Sequence, residues 1–109
     1  MKRYGQVIGL HADKIEEYNR LHAAVWPDVL KTIAACNIRN YSIFLRRPEN
    51  LLFAYFEYHG DDFETDMRKM AADPVTQDWW KLCMPCQKPL ETREETEWWA
   101  PATEVFHVD

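Results

Sequence analysis

Residues 38–58 read IRNYSIFLRRPENLLFAYFEY, and they decide the fold. Two apolar-rich runs flank the polar turn Arg47-Pro48-Glu49-Asn50, the pattern of a β-hairpin. In the first run Tyr41, Ile43 and Leu45 fall on one side. The second run is apolar on both sides: Leu51, Phe53 and Tyr55 on one, Leu52, Ala54 and Phe56 on the other. A sheet with one wet face alternates apolar and polar residues cleanly. Here both faces call for cover. Helices can supply one cover. In a chain this short, a second subunit is the simplest supply for the other.

Working outward, RYGQVIGL at 3–10 predicts a first strand, with Tyr4, Gln6, Ile8 and Leu10 on one face. Gly5 and Gly9 within it imply a bulge or the close approach of another group. Residues 12–25 predict a helix capped by Asp13, with Glu16 three residues on. Trp26-Pro27 ends it, because a residue before proline avoids the helical region, and Pro27 opens a second piece through Cys36. After the hairpin, 61–73 predicts a helix with Phe63, Met67, Met70 and Ala71 inward. Asp73-Pro74 starts a further helix bearing Trp79 and Trp80. Residues 85–102 read as a long loop and 103–108, TEVFHV, as a last short strand. The order β-α-β-β-α-β is the ferredoxin-like arrangement. The expectation is therefore an α+β protein forming one domain over 1–109. Its antiparallel sheet is open on one face with helices on the other, and two copies form a dimeric α+β barrel.

The 109 residues suit one domain, and 47% of them are hydrophobic. The net charge of −5 and the lack of a basic cluster beyond Arg46-Arg47 argue against nucleic acid as a partner. No window approaches the apolar length of a membrane span, and the N-terminus lacks a secretory core, so a cytoplasmic location is expected. Three cysteines in such a chain are expected to be reduced thiols.

Residues 77–86, QDWWKLCMPC, join two tryptophans to a Cys-x-x-Cys. A thioredoxin-type pair opens a helix directly after a strand; Cys83 and Cys86 follow a helix instead, with Pro85 between them. A closed zinc site needs four ligands, and the four histidines offer no paired spacing. Neither a metal nor a redox cofactor is expected. The indoles read differently. Tyr18 and His22 stand four apart on one helix face, Tyr41 sits on a neighbouring strand, and Trp79 and Trp80 open an aromatic cluster with a polar rim. Indole faces cover the C–H faces of a sugar, while indole N–H and phenol groups bind its oxygens. Neighbouring helical residues diverge by about 100°, so one indole of the pair is expected to pack inward. The acidic runs, Asp61-Asp62 with Glu64 and Asp66, and 91–97, read as solvated faces.

EEYNRLHAAVWPDVL, NYSIFL, NLLFAYFE, QDWWK and EVFHVD, in that order, closely resemble the L-rhamnose mutarotase family over nearly the whole chain. The resemblance implies a small cytoplasmic homodimer of ferredoxin-like subunits that interconverts the α and β anomers of a 6-deoxy-L-hexose. It places the acid/base histidine on His22, the sugar-binding tyrosines on Tyr18 and Tyr41, and the tryptophan pair on Trp79 and Trp80. It implies no cofactor, and a monosaccharide as the partner. The stretch LCMPCQKPLETREETEWWAP departs from the family pattern, bringing Cys83, Cys86, Trp98 and Trp99. That departure opens L-fucose or a related sugar as an alternative substrate.

Mutarotation opens a hemiacetal and recloses it on the other face. The anomeric hydroxyl loses a proton and the ring oxygen gains one. A single group titrating near neutrality can serve, and histidine has an unperturbed pKa of about 6.5. His22 is thus read as the proton donor to the ring oxygen and its acceptor on return, with Tyr18 and Tyr41 assisting. Three rival readings stand beside it. One is a cofactor-free oxygenase or haem-degrading protein of the dimeric α+β barrel type, the second a sugar-binding or regulatory module without catalysis, and the third a metal or thiol protein using Cys83 and Cys86.

Overall fold

The computed structural model describes residues 1–109. Strand β1, Lys2–Leu10, runs along the middle of an antiparallel sheet. A 3-10 turn at Ala12–Lys14 leads into α1, Ile15–His22. Helix α2, Pro27–Ala35, follows, then the hairpin of β2, Ile38–Arg46, and β3, Leu51–Tyr58. Helices α3, Phe63–Ala72, and α4, Pro74–Cys83, come next. Two short strands close the chain: β4, Gln87–Lys88, and β5, Ala100–Ala102. The sheet order is β2-β3-β1-β4, with β5 also pairing β1.

The predicted fold class holds, and the register explains the doubly apolar strand. Ile8 pairs Leu52 and Tyr4 pairs Phe56, so Ile8, Leu52, Ala54, Phe56 and Tyr58 share the helix-covered face and are buried. Val7 pairs Phe53, which pairs Phe44, and these lie on the open face. There Phe44 is 63% exposed. The main core, around Ile8, Leu10, Leu52, Tyr18, Val29 and Trp79, sits between the sheet and helices α1, α2 and α4.

The proline-led helix starts lie where the sequence puts them. Trp26 is extended at ψ 134°, and its carbonyl accepts from the Val29 and Leu30 N–H groups. Asp73 accepts from the Thr76 N–H at 2.9 Å and caps α4. Other expectations are overturned. Asp13 caps nothing; His11 stands at the cap of the 3-10 turn, and its N–H donates to the Cys86 carbonyl at 2.9 Å. The helix predicted over 12–25 ends at His22, because Trp26 must be extended before Pro27. Ala71 faces solvent. Asp66 is no solvated acid: it is buried, accepting hydrogen bonds from the Tyr58 hydroxyl and, at 3.0 Å, from the Asn37 amide.

The last strand also lies elsewhere. Residues 103–109 form no strand, and Gly5–Val7 pair with Ala100–Ala102 instead. The region read as a loop therefore contributes both short strands. Gly9 pairs Lys88, and a Cβ built on Gly9 would stand 2.5 Å from the Lys88 carbonyl oxygen. Close approach of a neighbour, one of the two readings of that glycine, is the one observed. Beyond β5, Arg3 clasps Glu104 at 2.6 Å, and Val105, Phe106 and Val108 then project into solvent.

Candidate active site

Four segments build the site. Helix α1 offers one face bearing Ile15, Tyr18 and His22, at helical spacings of three and four. Tyr18 is 3% exposed; His22, at the last turn, is half-buried. Their rings stack with centroids 4.1 Å apart. His22 Nδ1 lies 2.9 Å from the Tyr18 carbonyl oxygen. A carbonyl only accepts, so Nδ1 carries the proton and the neutral ring keeps its lone pair on Nε2. Burial pushes the His22 pKa down, and the bond to the carbonyl partly opposes this. The resting imidazole is therefore neutral, with one nitrogen free to exchange protons.

Helix α4 supplies the wall. Trp79 meets the His22 ring edge-on at 5.4 Å and Trp26 at 5.2 Å, and only 6% of it is exposed. Trp80, one residue on, is half-buried and borders an open cleft of about 560 Å³ with Gln77, Lys81, Met84, Pro85 and Trp98. The tryptophan pair divides as its helical spacing demands. That cleft meets the site only at Trp80 and Trp98; His22 and Tyr18 do not line it.

Tyr41 arrives from the hairpin. Between Arg39 and Ser42 the β2–β3 register slips, and Asn40 takes a positive φ of 50°. Asparagine tolerates that region, and a bulge re-aims the next side chain. Tyr41 thereby lies edge-on to Phe56, with 41% of it exposed. Desolvation, with Cys83 nearby, pushes its pKa up to about 12. Burial raises the Tyr18 pKa far above the ordinary range, opposed by a hydrogen bond from Gln87 and reinforced by Tyr41. Both phenols stay protonated at physiological pH.

Cys83 and Cys86 form the floor. Both are buried free thiols, and burial pushes Cys83 up to about 12 and Cys86 upward. Neither is a thiolate at neutral pH, so neither is a nucleophile. No cluster of three or more His, Cys, Asp or Glu side chains is arranged to hold a metal ion.

All five residues singled out in the sequence lie in this region. Tyr18, His22 and Trp79 are in one contact group, Trp80 forms the outer edge, and Tyr41 packs on Phe56 within electrostatic reach of Cys83 and Tyr18. Sequence reasoning missed Trp26, read only as a helix stop, and Gln87, and it noted Trp98 only within the stretch that departs from the family pattern. Gln87 is buried between the Tyr18 hydroxyl, 3.3 Å away, and the Trp98 indole, 2.7 Å away. No local pattern links positions 18, 87 and 98.

The L-rhamnose mutarotase family model matches residues 3–108. The chain belongs to the L-rhamnose mutarotase family. An L-rhamnose mutarotase of Oceanobacillus iheyensis is 34% identical over 109 residues, covering 100% of both chains. One of Bacillus subtilis is 39% identical over 88 residues, covering 81% of this chain and 82% of the relative. Among solved structures, an L-rhamnose mutarotase of Formosa agariphila superposes with a TM-score of 0.78 at 21% identity over 100% of both chains. Tetracenomycin F2 cyclase of Streptomyces glaucescens superposes with a TM-score of 0.68 at 19% identity, covering 99% of this chain and 96% of that one. At such identities the superpositions speak for the fold alone, and a polyketide cyclase on the same fold shows that the fold does not set the chemistry.

Proposed function

We propose that this protein is an isomerase that interconverts the α and β anomers of L-rhamnose, with His22 as its acid/base. Family membership supports the sugar and the reaction. The observation that carries the mechanism is the His22 Nδ1 bond to the Tyr18 carbonyl. It leaves Nε2 alone to do the proton work. Nε2 takes the proton of the anomeric hydroxyl and, as imidazolium, delivers it to the ring oxygen. The bond from the anomeric carbon to the ring oxygen breaks as the carbonyl forms. After rotation about C1–C2, the reverse transfers close the ring on the other face. The two sugar oxygens share one carbon, so a single nitrogen can serve both. Trp79 and Trp80 provide the apolar wall, and Tyr18 and Tyr41 offer neutral phenols to sugar oxygens. Positioned acid/base catalysis contributes about 10²–10⁴-fold, a scale suited to a reaction that also runs unaided in water.

The working form in this reading is a cytoplasmic homodimer of single-domain subunits joined through the open sheet face. The exposed Phe44 and Phe53 on that face, and the apolar tail residues Val105, Phe106 and Val108, support it. No helix is long and apolar enough to cross a membrane.

The test is saturation-transfer NMR between anomeric proton signals, run with L-rhamnose, L-fucose and their non-deoxy analogues. L-Rhamnose is expected to exchange fastest, and His22→Ala to return exchange to the buffer rate. Preference for L-fucose would move the substrate assignment; undiminished exchange in His22→Ala would remove His22 as the catalyst.

A further inference from the structure

We propose that Gln87 and Trp98 act as positioning residues that hold Tyr18 as a hydrogen-bond donor to the bound sugar. The inference rests on the mutarotase reading above and concerns the same site.

The polar groups dictate the direction of every bond in the chain. An indole N–H can only donate. Trp98 Nε1 lies 2.7 Å from Gln87 Oε1, so that end of the amide must be the oxygen. The reverse amide orientation would set N–H against N–H. Gln87 Nε2 then faces the Tyr18 hydroxyl at 3.3 Å, and an amide NH₂ can only donate. The Tyr18 oxygen is therefore the acceptor in this pair. Its single proton is left over, and no protein acceptor meets it. Gln87 and Tyr18 are both buried, so water does not readily scramble the arrangement. The Tyr18 ring lies against that of His22, the proposed acid/base, with centroids 4.1 Å apart. Burial keeps the phenol protonated, which maintains the donor.

This gives a role to the second tryptophan pair. The loop between β4 and β5 leaves β1 and returns, and its return sets the Trp98 indole on Gln87. A phenol with a free rotor could donate to the sugar or accept from it. Once locked, it rewards an oxygen that must accept, and the ring oxygen of a pyranose is such a group.

The decisive variant is Gln87→Glu. An ionised carboxylate at this position accepts from both Trp98 and Tyr18, consuming the phenol proton and turning lone pairs toward the sugar. Above neutral pH, KM for L-rhamnose is expected to rise about tenfold, the effect of one buried hydrogen bond unmade. As pH falls and the introduced carboxyl protonates, it can donate to Tyr18 again, and KM should recover. A merely structural role predicts no recovery. Gln87→Leu and Trp98→Phe should raise KM without pH recovery, and they serve if the carboxylate impairs folding. In a Tyr18→Phe background, Gln87→Glu should add nothing further. Equal KM in the parent and all three variants, or an undiminished effect of Gln87→Glu after Tyr18→Phe, overturns the proposal. A sugar-free readout separates it from the mutarotase reading. The Trp98 indole proton in heteronuclear NMR should move and exchange faster with solvent in Gln87→Leu. An unmoved indole signal overturns the proposal even if the parent turns over no sugar, whereas absent exchange in the parent with a responsive indole overturns only the mutarotase reading.

Discussion

The imidazole of His22 donates from Nδ1 to the carbonyl of Tyr18 while lying 4.1 Å from that residue's own ring. One residue thus fixes both the tautomer and the plane of this imidazole, from one turn earlier on the same helix.

A pH dependence follows. In the proposed mechanism the active form is the neutral ring, and burial lowers the His22 pKa below its ordinary value near 6.5. Activity should hold on a plateau above neutrality and fall only as pH drops through that depressed pKa. Stability has the same sign. Below pH ~6.5 the unfolded chain binds a proton at His22 that the folded chain resists, so stability declines as pH falls toward the folded pKa. Anomer exchange against pH reports the first, and the melting temperatures of the parent and His22→Gln report the second. A profile that rises toward acid would sink the assignment.

The two adjacent indoles should separate stability from binding. Trp79 is buried against Trp26 and His22, so Trp79→Ala should cost about 3–5 kcal/mol. Trp80 is half-buried on the cleft, so Trp80→Ala should cost less than half as much and appear mainly as a higher KM. Urea denaturation with steady-state exchange kinetics distinguishes them.

Gly9→Ala should damage the site from a distance. The new methyl would press on the Lys88 carbonyl oxygen, and β4 would have to move away from β1. Overpacking of this kind costs about 1–3 kcal/mol. Because Lys88 adjoins Gln87, sugar affinity should fall alongside the melting temperature. Gly5→Ala is the control, since its methyl would find only ordinary contacts.

The thiols should be silent. Cys36, Cys83 and Cys86 are buried, with pKa values raised by burial. A thiol reagent should label none of them in the native protein and all three in denaturant, and added reductant should leave exchange unchanged. Rapid native labelling of Cys83 would contradict this.

Charge on the open face should divide the proposed homodimer. Light scattering of the parent is expected at twice the 13.0 kDa of one chain. Phe44→Glu and Phe53→Glu each place a carboxylate where an apolar partner face is expected, and should shift the mass to one copy. A monomeric parent would refute the proposed assembly.

What the sequence disclosed was local. Pro27 and Pro74 with Asp73 mark helix starts through bonds within four residues, and the hairpin declares itself by its turn. The candidate site residues of α1 and α4 were legible as faces of single helices. What stayed hidden depends on distant partners. Asp13 looks like a cap, yet the turn there is anchored by the Cys86 carbonyl. Asp66 looks solvated until Tyr58 and Asn37 fold over it. Residues 103–108 alternate like a strand, but Ala100–Ala102 already fill the available stretch of β1, and the Arg3–Glu104 clasp carries the chain away. The contact between Gln87 and Tyr18 spans 69 positions, beyond any periodicity.

The broken flank of β1 has one more consequence. Its two short strands run two and three residues, separated by an excursion at Ile8, and Pro101 offers no N–H. A stray peptide seeking a continuous ladder finds no template there, so the protein guards itself against fibril-like stacking on that side.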